Sequence, residues 1–309
     1  SSFLISSEIR KKVKKIKKES KNFSDIPFKK IISKLNFILT KDQSNSLNDI
    51  NKDISSKTKM FRLLQGDVGS GKTIVALISA LNVIESGYQV AFMAPTEILA
   101  RQHFNLAKQL FSNKVNINIL SSKTNHSSKK TIQKDIKKNK IDIIFGTHSL
   151  FQKKTMFHNL GYIIIDEQHK FGVRQRKLLS DKGGKNCDIL LMSATPIPRS
   201  LTMSIYGDLD LSIIREKPKH RKTIKTYSKP ESKMDDIIKF VKKELKANNQ
   251  VFWVCPLIDE SKKVDHQSAI KKYEYLNKIF PNEVGILHGK IDQDEKEKIL
   301  NSFLLKKYK

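Results

Sequence analysis

Eight consecutive residues, Gly66, Asp67, Val68, Gly69, Ser70, Gly71, Lys72 and Thr73, follow the spacing G-x-x-x-x-G-K-[ST], and each type suits the handling of phosphate. Glycines let backbone amides close on anionic oxygens, the lysine brings a cation to β and γ phosphates, and the threonine offers a hydroxyl to Mg2+. The apolar run Phe61 to Leu64 precedes this stretch and an Ile74, Leu77, Ile78, Leu81 stripe follows it, so strand, loop and helix are in order. That context sets aside a plain glycine turn. Further on, the apolar run Tyr162 to Ile165 ends in Asp166 and Glu167. Carboxylates at the end of a parallel strand can hold Mg2+ (Asp166) and orient and polarise an attacking water (Glu167). Alone, such a pair is an ordinary surface turn, and its force comes from the phosphate loop. A third run, Leu190 to Met192, meets Ser193, Ala194, Thr195 and Pro196. Two readings fit it: hydroxyls that report nucleotide state to the acidic pair, or a Ser/Thr-Pro turn closing a strand.

The elements that must position these groups read as an α/β alternation: short β-rich apolar runs separated by amphipathic helical stretches, which gives a parallel sheet covered by helices. Strands are expected at Phe61 to Leu64, Gln89 to Met93, Ile117 to Leu120, Ile141 to Phe145, Tyr162 to Ile165 and Ile189 to Met192. Thr73 to Ser86 and Glu97 to Phe111 read as helices, and 121–140 as a polar loop leading into a basic helix. Residues 8–21 space Ile9, Val13 and Ile16 by three and four, which predicts a charged, narrow-striped connector helix. After an irregular stretch between Glu216 and Pro230, a short strand at Thr223 to Thr226, a helix at Lys233 to Ala247 and a strand at Val251 to Val254 open a second βα series. The organisation expected is a connector region over 1–34, a first lobe over 35–222 and a partial second lobe over 223–309.

Lys and Arg number 59 against 31 Asp and Glu, a formal charge of +28, which attracts polyanions and favours a nucleic-acid partner. Of the 59, 51 are Lys, and compositional drift toward lysine is the competing explanation. Cys187 and Cys255 show neither a CxxC nor a paired histidine, so no zinc site or disulfide framework is signalled and a reducing cytoplasm fits. No apolar run approaches the roughly 20 residues of a membrane helix, and no secretory signal opens the chain. A chain that starts at Ser1 and ends in Lys306, Lys307, Tyr308 and Lys309 without a helix stop is expected to be cut at both ends.

With these motifs in place, the chain resembles the superfamily-two helicases and, within them, the RecG family of branch-migration helicases. The resemblance covers 35–303 and is carried, beyond the phosphate loop, by MAPTEILARQHF (Met93 to Phe104), FGTHSLFQ (Phe145 to Gln152), IIDEQHKFGVRQR (Ile164 to Arg176), MSATPIPRSL (Met192 to Leu201), YGDLDLSII (Tyr206 to Ile214), VCPLIDES (Val254 to Ser261) and LHGK (Leu287 to Lys290). It implies a RecA-like lobe of the P-loop NTPase class, then an incomplete second lobe of the same kind, with ATP and Mg2+ as cofactors. The implied activity is that of an ATP-dependent DNA helicase or duplex translocase acting on forks and four-way junctions, without base specificity, as a monomer. The resemblance gives Phe37, Thr40 and Gln43 places beside the adenine, although a helix entry capped by Thr40 explains the same residues locally. It assigns Pro95, Thr96, Glu97, Gly146, Thr147 and His148 to DNA-facing loops, where amides and hydroxyls hold phosphates without reading bases. A helix N-cap at Thr96 and a turn at Gly146 agree with that role. Within the DEQH box, Gln168 joins Ser193, Ala194 and Thr195 in coupling, and His169 links ATP state to DNA, though a lone histidine also serves as a structural hydrogen-bonder. The resemblance further implies that Arg174, Arg176 and Arg199 anchor DNA or form salt bridges across the lobes.

Two departures follow from the same comparison. The family's Q-x-x-G-R-x-G-R run is not in this sequence, and an arginine finger is worth about 10³ to 10⁵ in rate, so feeble hydrolysis is expected. The family's N-terminal wedge domain is likewise expected to be missing from this sequence, with only its trailing connector helix represented by residues 3–20. The motor of a transcription-repair coupling factor shares most blocks, but carries Glu where Gln168 stands and lacks the YGD run. A non-catalytic basic DNA-binding protein is the remaining alternative, opposed by Lys72, Thr73, Asp166 and Glu167 all being in place.

Overall fold

Apolar runs of four to six residues need cover on both faces, and the chain provides it by wrapping helices around a single parallel sheet. The computed structural model describes residues 16–24, 37–111, 114–121, 124–152, 154–167, 183–195, 209–216, 224–255 and 262–309. In chain order these form α1 (Lys41–Ile54), β1 (Phe61–Gly66), α2 (Lys72–Glu85), β2 (Gln89–Met93), α3 (Glu97–Phe111), β3 (Ile117–Leu120), α4 (His126–Lys137), β4 (Ile143–Gly146), β5 (Leu160–Ile165), β6 (Asp188–Ser193) and β7 (Asp210–Ile214). Then come α5 (Met234–Lys246), α6 (Lys262–Ile279) and α7 (Gln293–Leu304). The chain divides into two compact units, 1–222 and 223–309.

In the first unit the strands lie in the order β3-β4-β2-β5-β6-β1-β7, and every pairing among them is parallel. Because side chains alternate across a strand, each strand feeds two cores. Tyr162 and Ile164 of β5, with Phe92 and Leu190, pack under α1 and α2 against Leu47, Ile50, Val75 and Ile78. Ile163 and Ile165, with Met93 and Leu191, pack on the other face with Ile132 and Ile136 of α4. The edge strand β7 is an addition to the strands expected from sequence, where YGDLDLSII served only as a family signature. Polar contacts fix it: Arg62 Nη1 donates to Ser212 Oγ at 2.9 Å, and Ser212 Oγ donates to Asp49 Oδ2 at 2.8 Å. Among the described residues, no helix is long and apolar enough to cross a membrane.

The connector differs from the helix expected at 8–21. Residues 8–15 lie outside the described residues, and residues 16–21 are not helical, with Lys17 in an antiparallel bridge to Thr58. Backbone bonds Lys18 N to Lys57 O (3.0 Å) and Lys59 N to Ile16 O (3.2 Å) take the groups a helix would need. The side chains explain the preference. Lys18 Nζ and Lys21 Nζ donate to the same oxygen, Asp188 Oδ2, at 2.6 and 2.7 Å, with all three side chains fully buried. Lys18 also reaches the carbonyls of Asp53 and Ile54, Lys21 that of Asn186, and Asp188 Oδ1 accepts the Met60 amide. Burial drives the Lys18 ammonium below its ordinary pKa despite the neighbouring Asp188.

The second unit folds around Ile238, Val241, Leu276 and Phe280, with Val251, Trp253 and Val284 packed against them. The helix expected at Lys233 to Ala247 is present as α5. The run Val251 to Val254, expected as a strand, forms no ladder among the described residues, although the Val251 amide donates to the Lys309 carbonyl at 2.6 Å. Likewise, 224–226 of the strand expected at Thr223 to Thr226 carries no strand pairing. A strand is a property of a pair, and these segments lack a second member in the described residues. Phe252 and Val254 accordingly stay 71% and 82% exposed.

Removing the shared carboxylate should strand two buried ammonium groups. Asp188→Ala is expected to destabilise the first unit by about 3–5 kcal/mol, read from its urea transition. A loss below about 1 kcal/mol, the range of exposed pairs, would show that the cluster is hydrated rather than buried.

Candidate nucleotide site at the C-terminal edge of the sheet

Parallel register brings the motifs together. Met93 of β2 lies opposite Gly146 of β4 and Ile165 of β5, while Gln65 of β1 lies opposite Ser193 of β6. The phosphate loop, Pro95 to Glu97, Gly146 with Thr147, the Asp166–Glu167 pair and Ser193 to Thr195 therefore all leave the sheet on one edge. Open parallel sheets place ligands there.

Between β1 and α2 the loop turns on Gly69 (φ 73°) and Gly71 (φ 91°), a left-handed region that side chains rarely enter. Gly71 is the N-cap of α2 and gives no side-chain cap, so the first amides of the helix face the loop with the dipole behind them. A Cβ on Gly66 would stand 2.9 Å from the Ile214 carbonyl oxygen, so the strand end also needs glycine for close approach to β7. Lys72 Nζ lies back across the loop, donating to the Gly66 carbonyl at 2.6 Å and the Asp67 carbonyl at 3.1 Å. Burial lowers its pKa, and the charges of Asp166, Glu167 and Asp67 oppose that shift. The ammonium and these three acidic groups thus share one electrostatic neighbourhood. Ser70 Oγ is buried without a hydrogen-bond partner among the described residues, a polar atom left over inside the cradle, and Val68 at the tip is exposed.

The helix before β1 supports the loop. Thr40 and Gln43 form a capping box: Thr40 Oγ1 accepts the Gln43 amide at 3.3 Å and Gln43 Oε1 accepts the Thr40 amide at 2.9 Å. The remaining half of the Gln43 amide, Nε2, donates to the Ser70 carbonyl at 2.7 Å, inside the phosphate loop. Phe37 is partly exposed just upstream. Asp42, which sequence reading passed over, accepts the Arg215 and Glu216 amides at 2.8 and 3.0 Å and ties α1 to the end of β7.

Asp166 continues β5, its amide donating to the Met93 carbonyl at 2.8 Å. Its Oδ1 accepts the Glu167 amide at 3.0 Å, and Oδ2 meets His103 Nε2 at 2.8 Å. Glu167 turns the chain with φ 50°. His103 was also missed in the sequence. Its signal was a lone polar residue in the buried stripe Ala100, His103, Ala107, Phe111 of α3. As a magnesium site, Thr73 and Asp166 would supply hard oxygen donors, with Asp166 buried and its charge felt at Lys72. Among the described residues no cluster of three or more acidic, His or Cys side chains forms a cage. Magnesium on a nucleotide takes one or two carboxylates and otherwise water and phosphate, so the residues fit.

Ser193 Oγ contacts Thr195 Oγ1 at 3.0 Å and donates to the Thr195 carbonyl at 3.3 Å, while Ala194 is half-buried. Thr96 begins α3, its Oγ1 accepting the Leu99 amide at 3.3 Å, and Glu97 pairs with Arg101 one turn on. The Ala94 amide donates to the Gly146 carbonyl at 3.0 Å, holding the second and fourth strand ends side by side. His148 lies in a short 3-10 turn. Gln168, His169, Arg174, Arg176 and Arg199 lie outside the described residues.

A family model for the DEAD/DEAH box helicases matches residues 40–204. The chain is 47% identical over 297 residues to the ATP-dependent DNA helicase RecG of Aquifex aeolicus (strain VF5), covering 95% of this chain and 38% of that protein. It is 45% identical over 284 residues to RecG of Bacillus subtilis (strain 168), covering 91% of this chain and 42% of that protein. The chain thus spans about two fifths of the length of the curated relatives it matches. Among solved structures, RecG bound to a three-way DNA junction superposes with a TM-score of 0.80 at 38% identity, covering 98% of this chain and 40% of that one.

Gly71 offers a test of the cradle. An L side chain at its φ costs about 1–2 kcal/mol, and a Cβ would sit 2.2 Å from Gln43 Nε2, forcing that amide off the Ser70 carbonyl. Gly71→Ala is expected to weaken binding of a fluorescent ATP analogue at least about tenfold, equivalent to ~1.4 kcal/mol. Combined with Gln43→Ala, it should lose less than the two single changes added together. Unchanged analogue affinity in Gly71→Ala would contradict the cradle.

Proposed function

The chain belongs to the DEAD/DEAH box helicases and is a homologue of the RecG ATP-dependent DNA helicases; from this we propose that it is the ATP-driven motor of a RecG-type translocase that remodels branched DNA in recombination and repair. One observation supports this reading above the others: the phosphate loop, Lys72 and the Asp166–Glu167 pair occupy one edge of the parallel sheet, with Lys72 inside the field of both carboxylates.

On this reading the adenine lies beside Phe37, Thr40 and Gln43, and Gln43 links the base to the loop through the Ser70 carbonyl. Residues 66–71 and the first amides of α2 wrap the phosphates, and Lys72 exchanges the Gly66 and Asp67 carbonyls for β and γ oxygens. Thr73 and Asp166 would hold magnesium, which when bound would supply charge neutralisation at the phosphates. Glu167 orients and polarises the attacking water. Phosphoryl transfer asks little else of a protein than positioning and electrostatics. Pro95 to Glu97 and Gly146 to His148 face DNA phosphates, and Gln168, His169, Ser193, Ala194 and Thr195 relay nucleotide state, with Arg174 and Arg199 reaching DNA. The formal charge of +28 suits a polyanionic track of any sequence. Junctions and forks enter through the likeness to RecG, since the related structure holds a three-way DNA junction. The chain works as a monomer in the cytoplasm, binding ATP and DNA with slow turnover by itself.

Steady-state hydrolysis with and without a four-way junction, beside Lys72→Ala, tests the proposal. Expected is low turnover that the junction stimulates, lost by about 100-fold or more in Lys72→Ala, whose cation is directed at the transferring phosphates. Turnover indifferent to Lys72, or analogue binding unaffected by its loss, would leave a basic DNA-binding protein in place of the motor.

A further inference from the structure

A polar side chain in a buried helical stripe costs free energy unless it is partnered, and packing alone would be better served there by an aliphatic residue. His103 occupies such a position on α3 between Ala100 and Ala107. Its ring lies against Phe92 of β2, with centroids 4.8 Å apart and planes at 42°, and Phe92 stacks in turn on Phe145 at 5.2 Å. The imidazole is therefore wedged between a helix and the sheet with little rotational freedom. Its Nε2 ends 2.8 Å from Asp166 Oδ2, and the two side chains are only 10% and 11% exposed. A carboxylate has no proton to give, so Nε2–H is the donor.

Asp166 then has each oxygen engaged: Oδ2 by His103 and Oδ1 by the Glu167 amide at 3.0 Å. Two donors from different directions fix the plane of the carboxylate, yet each oxygen keeps acceptor capacity for a cation. We propose that His103 is a positioning residue for the metal-holding carboxylate: it sets the orientation in which Asp166 meets the divalent cation of the nucleotide complex. The proposal rests on the reading of Asp166 as a magnesium ligand. It adds to that reading a residue on a different element, α3, in the part usually played by hydrogen-bonded partners that orient a ligand. Because the His103 side chain is only 10% exposed and its ring is held between Phe92 and the Asp166 carboxylate, its loss is expected to act through the cation and to leave the nucleotide's own contacts intact.

Mn2+ can serve as the probe, with a non-hydrolysable ATP analogue and the 309-residue chain. Electron paramagnetic resonance gives the Mn2+ concentration that half-saturates the ternary complex, and fluorescence gives analogue affinity in chelator without metal. His103→Leu is expected to raise the Mn2+ half-saturation about 10–100-fold with metal-free analogue affinity unchanged. His103→Asn, too short to reach Oδ2, should behave alike and serves if the leucine variant does not fold. His103→Gln, whose amide can still donate, should recover most of the loss. Unchanged Mn2+ affinity in a folded His103→Leu or His103→Asn overturns the proposal, and so does equal weakening with and without metal, which marks a merely structural role. If the unaltered chain takes up no Mn2+ with the analogue, or Asp166→Asn takes it up undiminished, the reading of Asp166 itself fails and the inference goes with it.

Discussion

Parallel strands cannot be joined by hairpins, so each chain return must cross a face of the sheet, and every strand then ends on the same edge. The candidate nucleotide site depends on that constraint. Gly66, Met93, Gly146, Ile165 and Ser193 close five different strands, and the register places them side by side. The residues that follow them emerge together although they are far apart in sequence. Burial of both faces gives the sheet the rigidity to hold them: the strands carry alternate residues into two separate cores, so a shift of any strand would disturb both.

The opposite edge is secured by charge rather than by apolar packing. β6 begins at Asp188, whose carboxylate collects Lys18, Lys21 and the Met60 amide, and ends at Ser193 beside the phosphate loop. Buried ion pairs add little net stability over an apolar replacement, but they punish any arrangement that leaves a partner alone. Here the penalty selects one path for the connector across the beginnings of β1 and β6.

Around the phosphate loop the same economy of polar groups recurs. Gln43 uses its carbonyl to cap α1 and its amide nitrogen to hold the Ser70 carbonyl, so one side chain both starts a helix and braces the cradle. Asp166 divides its two oxygens between the backbone of Glu167 and the ring of His103. In each case a group with two hydrogen-bonding ends joins two elements, which makes the site's geometry a property of the whole first unit.

Much of this was readable in the amino-acid sequence, because short-range chemistry is written locally. The phosphate loop is contiguous, and its glycines and lysine identify themselves by spacing. Six of the strands announce themselves as apolar runs since a doubly covered sheet demands them, and helix α3 begins and ends at Glu97 and Phe111 as its stripe predicts. What the sequence could not decide was pairing. The connector carried a helical spacing, yet residues 16–21 form no helix because Lys18 and Lys21 find Asp188, 170 and 167 positions away. Strand β7 emerges through its pairing with β1 and contacts such as Arg62–Ser212, and the run Val251 to Val254, equally strand-like by composition, has no ladder partner among the described residues. His103 looked like one polar interruption in an apolar stripe until the packing of α3 on β3 and β4 set its ring against Asp166 at the end of β5. Spacing along the chain specifies what a residue can do, but a hydrogen bond across 63 positions exists only once the sheet has closed the distance.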